Sequence, residues 1–362
     1  MHTFERPPKE GDAQHTLLSM TTTPGLEAVV ADEWRRKSAP APCQTLPSGF
    51  MGRALIQTTL PPQPALGVAR SMRSIHHIIE PLAATISPEP LTLDGLEAQV
   101  AASVPTSALL SAQTPFRVTA NRRGTHPFTS EDVGRRLGAH FARHSGAPVN
   151  LGDPQIDLRI DIKDQSWTLG IQHTRTALSR RQQRPYNHPV SLRPDMAYAM
   201  LHTLGPDSPQ TLADPFCGAG TILMEAASLW PDCQIWGSDW KRRAAQGAQA
   251  NIEAMGLDAQ VAIREADALT LSAHLAPHSQ EAIVSNPPFG KRLGRGADYK
   301  TFFDAMLAQM ERLLCPGGRA VLLIGRHGPF FDALKHRTGW QVRSKTRIHS
   351  GQRPLMVALE RT

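Results

Sequence analysis

What the chain has little of narrows it first. Its four cysteines, Cys43, Cys217, Cys233 and Cys315, show neither a Cys-x-x-Cys pair nor zinc-type spacing. That argues against a disulfide framework or a metal knuckle, so no metal is expected. No apolar run nears the ~18–20 residues that cross a bilayer. The opening Met1-His-Thr-Phe-Glu-Arg-Pro-Pro-Lys-Glu10 lacks the apolar centre of a secretory signal. A cytoplasmic protein is expected. Acids are missing in two places. Gln165 to Pro194 has none while holding Arg175, Arg180, Arg181, Arg184 and Arg193. Ala333 to Leu359 has none while holding Lys335, Arg337, Arg343, Lys345, Arg347 and Arg353. A net charge of +7 can serve solubility alone, but two separate basic stretches point to a polyanionic partner.

At 362 residues, 40% hydrophobic and 20% charged, the chain suits two or more soluble domains. Alternating short strands and helices up to Glu80 read as an α+β ferredoxin-like unit. In it, His15 to Met20, Gly52 to Gln57 and Ser74 to Glu80 are strands, and Pro24 to Lys37 and Ala65 to Arg70 helices. A second unit over 81–175 has a helix at Leu91 to Ser103 and a strand at Thr114 to Ala120. Its next helix is capped by Ser130, with Val133, Leu137 and Phe141 on one face. Asp157 to Ile162 alternates charged and apolar residues as a half-buried strand does, and Ser166 to Gln172 is its neighbour. A basic connector, 176–195, leads to a domain over 196–362. There, five βα units and a closing β-hairpin predict a doubly wound α/β sheet whose last pair is antiparallel.

Two motifs in that domain carry chemistry. Asp214-Pro-Phe-Cys-Gly-Ala-Gly-Thr221 joins a strand to a helix, and Gly218 and Gly220 let backbone approach a ligand without a Cβ in the way. Leu223 stands where a dinucleotide fingerprint wants a third small residue, and no Lys follows to make a phosphate loop. A ligand with an amino acid and a nucleoside but no pyrophosphate fits better, namely S-adenosylmethionine. Phe216 and Thr221 flank the turn. Asp239, ending the second strand, is placed for ribose hydroxyls. Asp267 and Ala268, ending the third, are placed for the adenine amino group. Capping of the following helices is the competing role for both acids.

Asn286-Pro-Pro-Phe289 follows the fourth strand, which such a winding sets beside the first. An exocyclic amine on a base is a weak nucleophile because its lone pair is delocalised into the ring. The Asn286 side-chain oxygen and the Pro287 carbonyl can accept both amine hydrogens, and Phe289 can stack on the base. Lys291 and Arg292 suit either phosphate contacts or a solvated loop.

These residues resemble the THUMP-containing tRNA guanine-N2 methyltransferases over nearly the whole chain. Asn187-His-Pro-Val-Ser-Leu-Arg-Pro-Asp-Met-Ala197 also matches. The resemblance implies that His188 and Leu192 touch the methionine end of the cofactor, although a helix-entry role is open. Phe116-Arg-Val-Thr-Ala-Asn-Arg-Arg-Gly124 is similar, more loosely, to a THUMP domain behind a ferredoxin-like partner. That implies tRNA phosphate contacts from Arg117, Arg122, Arg123, Arg135 and Arg136, with Arg180, Arg181 and Arg184 of the connector, against a solvated basic face. Relatives acting at position 10 tend to carry Asp at the first place of the tetrapeptide, so Asn286 favours position 6.

The reading is therefore methyl transfer to guanine N2 in tRNA, with no obligatory protein partner evident. Methylation of ribosomal RNA guanine or of DNA adenine N6 is the same-class alternative. A non-catalytic RNA-binding protein is the alternative from another class.

Overall fold

A computed structural model describes residues 15–46, 48–182, 184–187, 191–288, 298–349, 351 and 353–362. The chain forms two compact units. The first ends at Thr21 and resumes over Ala31–Leu178; the second joins Thr22–Val30 to Ser179–Thr362. No described helix is long and apolar enough to cross a membrane.

The first unit runs β1 (Thr16–Thr21), α1 (Glu27–Ser38), β2 (Cys43–Leu46), β3 (Arg53–Thr58), α2 (Pro62–Ser71), β4 (His77–Ile86), α3 (Leu93–Ser103), α4 (Thr106–Leu109), β5 (Phe116–Arg123), α5 (Ser130–Ser145), β6 (Ile156–Lys163) and β7 (Ser166–Gln172). The first turn of α1 groups with the second unit. One seven-stranded sheet, ordered β2-β3-β1-β4-β7-β6-β5, spans the unit. Its hinge is β4, which pairs β1 through His77–Ile79 and β7 from Ile79 to Ile86. The sequence predicts that this strand stops at Glu80, before a proline. Pro81 instead sits at a register shift, where its missing N–H costs no regular ladder bond.

Alternation in β6 buries Leu158, Ile160 and Ile162 against Val133, Leu137 and Phe141 of α5. At about 1.5–3 kcal/mol for each large apolar side chain, that stripe fixes which face of the strand turns inward. The cap of α5 is Thr129 rather than Ser130. Thr129 Oγ1 accepts from the Asp132 N–H at 3.1 Å, and the Asp132 carboxylate accepts from the Thr129 N–H at 2.9 Å. This two-way box outcompetes a single serine bond.

The second unit contains α6 (Pro194–Thr203), β8 (Thr211–Asp214), α7 (Thr221–Leu229), β9 (Gln234–Asp239), α8 (Arg242–Ala254), β10 (Val261–Glu265), β11 (Gln280–Ser285), α9 (Tyr299–Leu313), β12 (Leu314–Ile324), α10 (His327–Lys335), β13 (Trp340–Arg347) and β14 (Leu355–Arg361). The sheet order is β10-β9-β8-β11-β12-β14-β13. Strands from β10 to β12 run parallel and the β13–β14 hairpin closes antiparallel, as the sequence implied. Between β10 and β11 the described residues hold only a 3₁₀ turn, Leu271–Ala273, where five βα units implied a helix. One core packs Met200, Leu223 and Ile252 on one face of the sheet. The other packs Phe303, Met306 and Phe330. Strand order reverses between β8 and β11, and a crevice opens there at the carboxyl ends.

Candidate active site

The crevice brings together Asp214 from β8, Asp239 from β9 and Asn286 after β11, around about 170 Å³ of cleft. Leu192, Phe216, Gly218 and Thr221 line it as well. Gly218 and Gly220 both take left-handed backbone, at φ 56° and 78°. A Cβ on Gly218 would meet only open space, so its glycine serves backbone conformation. Gly220 is the N-cap of α7, and its N–H donates to Cys217 O at 2.8 Å.

The two acids differ. Asp239 is half-buried and holds the loops, accepting from the Gly218 N–H at 3.2 Å and the Lys241 N–H at 2.9 Å. Asp214 is buried, and its Oδ1 accepts from Ser285 Oγ at 2.5 Å and the Phe216 N–H at 3.1 Å. Burial pushes the Asp214 carboxyl up to about 7, against the pull of those two donors, and Asp239 adds to the rise. The buried Cys217 thiol is raised further still, so it is not a nucleophile at neutral pH.

Asn286 Oδ1 is buried and, among the described residues, accepts no hydrogen bond. An unsatisfied buried acceptor costs about 1–3 kcal/mol, and at a cleft wall the missing partner points to a ligand donor. Pro287 is buried behind it, and Pro288 joins the lining.

The other residues singled out from sequence are scattered. Asp267 is exposed, absent from the cleft lining, and accepts from the Leu269 N–H at 2.9 Å, as a turn cap does. Ala268 is buried and is also absent from the lining. Thr221 Oγ1 donates to Leu192 O at 3.1 Å, tying the lead-in segment to α7. His188, Phe289, Lys291 and Arg292 lie outside the described residues.

Among the arginines, Arg117 pairs with Asp157 at 2.6 Å, and Arg136 pairs with Asp94 and Glu97. Arg181 meets the fully buried Glu225 at 2.6 Å, and Arg184 donates to Gln182. Arg122 donates to Gly124 O at 2.9 Å. Arg135, itself exposed, pairs along its own helix with Glu131 at 2.9 Å and Asp132 at 3.8 Å. Arg123 and Arg180 are exposed and form no ion pair among the described residues.

Of the lining and supporting residues that sequence reasoning missed, Asn251, Tyr186 and Trp240 matter most. Asn251 of α8 is buried; its amide donates to Tyr186 O and to Ala219 O, both at 2.9 Å, and its oxygen accepts from the Tyr186 N–H. It thereby clamps the lead-in segment to the glycine turn. Tyr186 lines the cleft with its ring against Gly247, where a Cβ would lie 2.2 Å from a ring atom. Trp240, 61% exposed, also lines the cleft. A large exposed aromatic following an acid at a strand end was the available signal.

A parallel sheet in this order, with a glycine turn after its first-wound strand and an acid closing the next, is the Rossmann-like methyltransferase fold. A family model described as RMKL-like, methyltransferase domain, matches residues 181–354, and a THUMP-domain model matches residues 93–172. The tRNA (guanine(6)-N2)-methyltransferase of Thermus thermophilus is 34% identical over 308 residues, 84% of this chain and 88% of that one. A human U6 snRNA (guanine-N(2))-methyltransferase is 34% identical over 211 residues, 58% of this chain but 40% of that protein's own length. The crystal structure of TrmN from Thermus thermophilus matches at TM-score 0.74 and 30% identity, over 96% of this chain and 100% of that one. The chain belongs to the THUMP-domain tRNA guanine-N2 methyltransferase family and is an enzyme.

Proposed function

We propose that this enzyme transfers a methyl group from S-adenosylmethionine to the exocyclic N2 of a guanine in tRNA, at position 6 of the acceptor stem. The observation that carries the reading is the buried Asn286 Oδ1, which among the described residues has no hydrogen-bond donor, on the wall of the cleft that Asp214 also lines. The name of the Thermus relative, matched over most of both chains, supports guanine N2 and position 6.

The cleft fits the donor. Gly218 faces open space, Asp214 and Asp239 bring negative charge to a cationic ligand, and Leu192, Trp240 and Tyr186 supply apolar surface. When bound, S-adenosylmethionine supplies an electrophilic methyl on sulfur, taken by the N2 lone pair as the carbon–sulfur bond breaks. Leu192, with His188 four positions before it in sequence, flanks the methionine end. Asp239 accepts from the ribose, and the adenine extends past the cleft lining toward Asp267 and Ala268, beyond the end of β10. Asn286 Oδ1 and the Pro287 carbonyl hold the two amine hydrogens, which turns the nitrogen lone pair toward the methyl. Phe289 stacks on the base. The surplus proton leaves to solvent after transfer, so no general base is required. Exposed Arg123, Arg135 and Arg180, with Lys291 and Arg292, contact phosphate; Arg117, Arg122, Arg136, Arg181 and Arg184 first need release from their present partners.

The parts divide as a ferredoxin-like unit to residue 80, a THUMP unit over 81–175, a linker over 176–195 and the methyltransferase domain beyond. The setting is the cytoplasm, where tRNA matures. A second reading, guanine N2 in another small RNA, draws on the human relative.

The test incubates the protein with labelled donor and total tRNA, then digests to nucleosides. N2-methylguanosine is expected, and its mapping to position 6 completes the reading. Labelled N6-methyladenine from DNA, or label only in another RNA, transfers the assignment to the alternatives. No transfer to any nucleic acid leaves an RNA-binding protein. Asn286→Ala is expected to abolish turnover while tRNA affinity stays within about twofold.

A further inference from the structure

We propose that Ser285 is a positioning residue that couples the acceptor loop to the donor site, by holding the Asp214 carboxylate as an anion toward the cationic methyl donor. The proposal rests on the donor site assigned above. Ser285 is the last residue of β11 and Asn286 follows it directly; Asp214 is the last residue of β8. The two strands are paired neighbours, in register at Ala282 with Leu212 and Ile283 with Ala213. Ser285 is fully buried and donates to Asp214 Oδ1 at 2.5 Å. Among the described residues the hydrogen bonds to this carboxylate all fall on Oδ1, while the residue itself lines the cleft. One hydroxyl thus fixes the orientation of an acid in the donor cleft from the strand that carries the acceptor asparagine.

The charge balance at Asp214 makes that hydroxyl matter. Burial works against the anion, and so does Asp239 at the end of β9. Cys217, in the turn after β8, is a neutral thiol, and Lys241, at the entry to α8, lines the same cleft. From the β11 side the group facing Asp214 is Ser285. Its bond and that of the Phe216 N–H favour the ionised form, yet the carboxyl still titrates at about 7. A donor carrying a sulfonium and an ammonium binds the ionised form, so affinity rises as pH climbs through that value. A hydrogen bond to a carboxylate accounts for about one pH unit, so its loss moves the midpoint upward by that much.

The experiment is calorimetric titration of S-adenosylmethionine into wild type, Ser285→Ala, Asp214→Asn and the double variant between pH 6 and 9. Taking the ratio of dissociation constants at each pH cancels the titration of the donor's own amine. Ser285→Ala is expected to bind about tenfold more weakly than wild type at pH 6 and within about twofold of it at pH 9. Asp214→Asn is expected to lose the pH dependence that wild type shows near 7, and adding Ser285→Ala to it changes nothing further. A ratio for Ser285→Ala that is the same at every pH, or equal penalties with and without Asp214, overturns the coupling while leaving the donor site intact. Absence of donor binding to wild type at every pH overturns the donor site itself, and the coupling with it.

Discussion

Replacing Arg181 by Ala distinguishes a side chain that holds the fold from one that holds RNA. Its guanidinium reaches Glu225 twice, at 2.6 and 3.2 Å, and also donates to Pro194 O at 3.1 Å. Glu225 is fully buried, whereas the Arg181 side chain is 19% exposed. Gln182 also donates to that carboxylate, at 3.2 Å, and the Arg184 guanidinium attracts it from further off, so losing Arg181 leaves the buried charge poorly balanced rather than bare. Breaking one side of a buried ion pair costs about 3–5 kcal/mol, and the partial exposure of Arg181 sets the expectation at the low end, about 3. For a unit of this size each kcal/mol moves the midpoint by roughly 2–4 °C, so Arg181→Ala is expected to lower Tm by roughly 6–12 °C. Arg181→Met with Glu225→Leu removes both charges and recovers most of that loss. Scanning calorimetry reads the first effect, and the salt dependence of tRNA binding by the same variant reads the alternative. A Tm within about 2 °C of wild type, with the log–log salt slope reduced by about one unit, refutes the structural role and returns Arg181 to phosphate binding.

Asp239→Ala is expected to weaken S-adenosylmethionine binding by about 1–3 kcal/mol, roughly 5- to 150-fold, since the carboxylate proposed to accept from the ribose, and seen to accept from Gly218, is lost; unchanged affinity by calorimetry sinks the ribose role. Arg123→Ala and Arg180→Ala are each expected to reduce the salt slope of tRNA binding by just under one unit, with Tm unmoved, and an unaltered slope makes both solvated. The stability of the unliganded protein carries the Asp214 titration with a definite sign. Its folded pKa, about 7, lies above the unfolded carboxylate value, so its contribution is fully present below about pH 4 and is lost as pH rises through 7. Urea unfolding at pH 5 and 8 is expected to show this loss in wild type and not in Asp214→Asn; equal losses in the two proteins contradict it.

The strand ends carrying Asp214, Asp239 and Asn286 were legible because each closes a short apolar run, before Pro at Asp214 and Asn286 and before a polar helix at Asp239, and parallel winding puts such ends on one edge. Asn251 was not. It sits in a helix whose polar residues look alike in sequence, and its partners Tyr186 and Ala219 are 65 and 32 positions away. Pro81 misled in the opposite direction, since a proline ends a regular strand but fits a bulge that only the pairing of β4 with β7 reveals. Thr129 and Ser130 are equivalent caps until Asp132 chooses between them.

The arginines show why charge patterning resolves less than motif chemistry. Arg180 and Arg181 are neighbours in one acid-free stretch, yet one faces solvent and the other closes on a buried carboxylate. Nothing in the basic stretch separates them, but the partner's own segment does. Thr221-Ile-Leu-Met-Glu-Ala-Ala-Ser-Leu229 has a single charge in an apolar helix, and such a helix is buried on most sides. A carboxylate there is almost never left unpaired, so a cation from outside the helix is required. Arginine suits that place better than lysine because its planar fork meets both carboxylate oxygens at once. The identity of the structural arginine is therefore written at Glu225, and the basic residues left over after such buried acids are matched are the ones available to RNA.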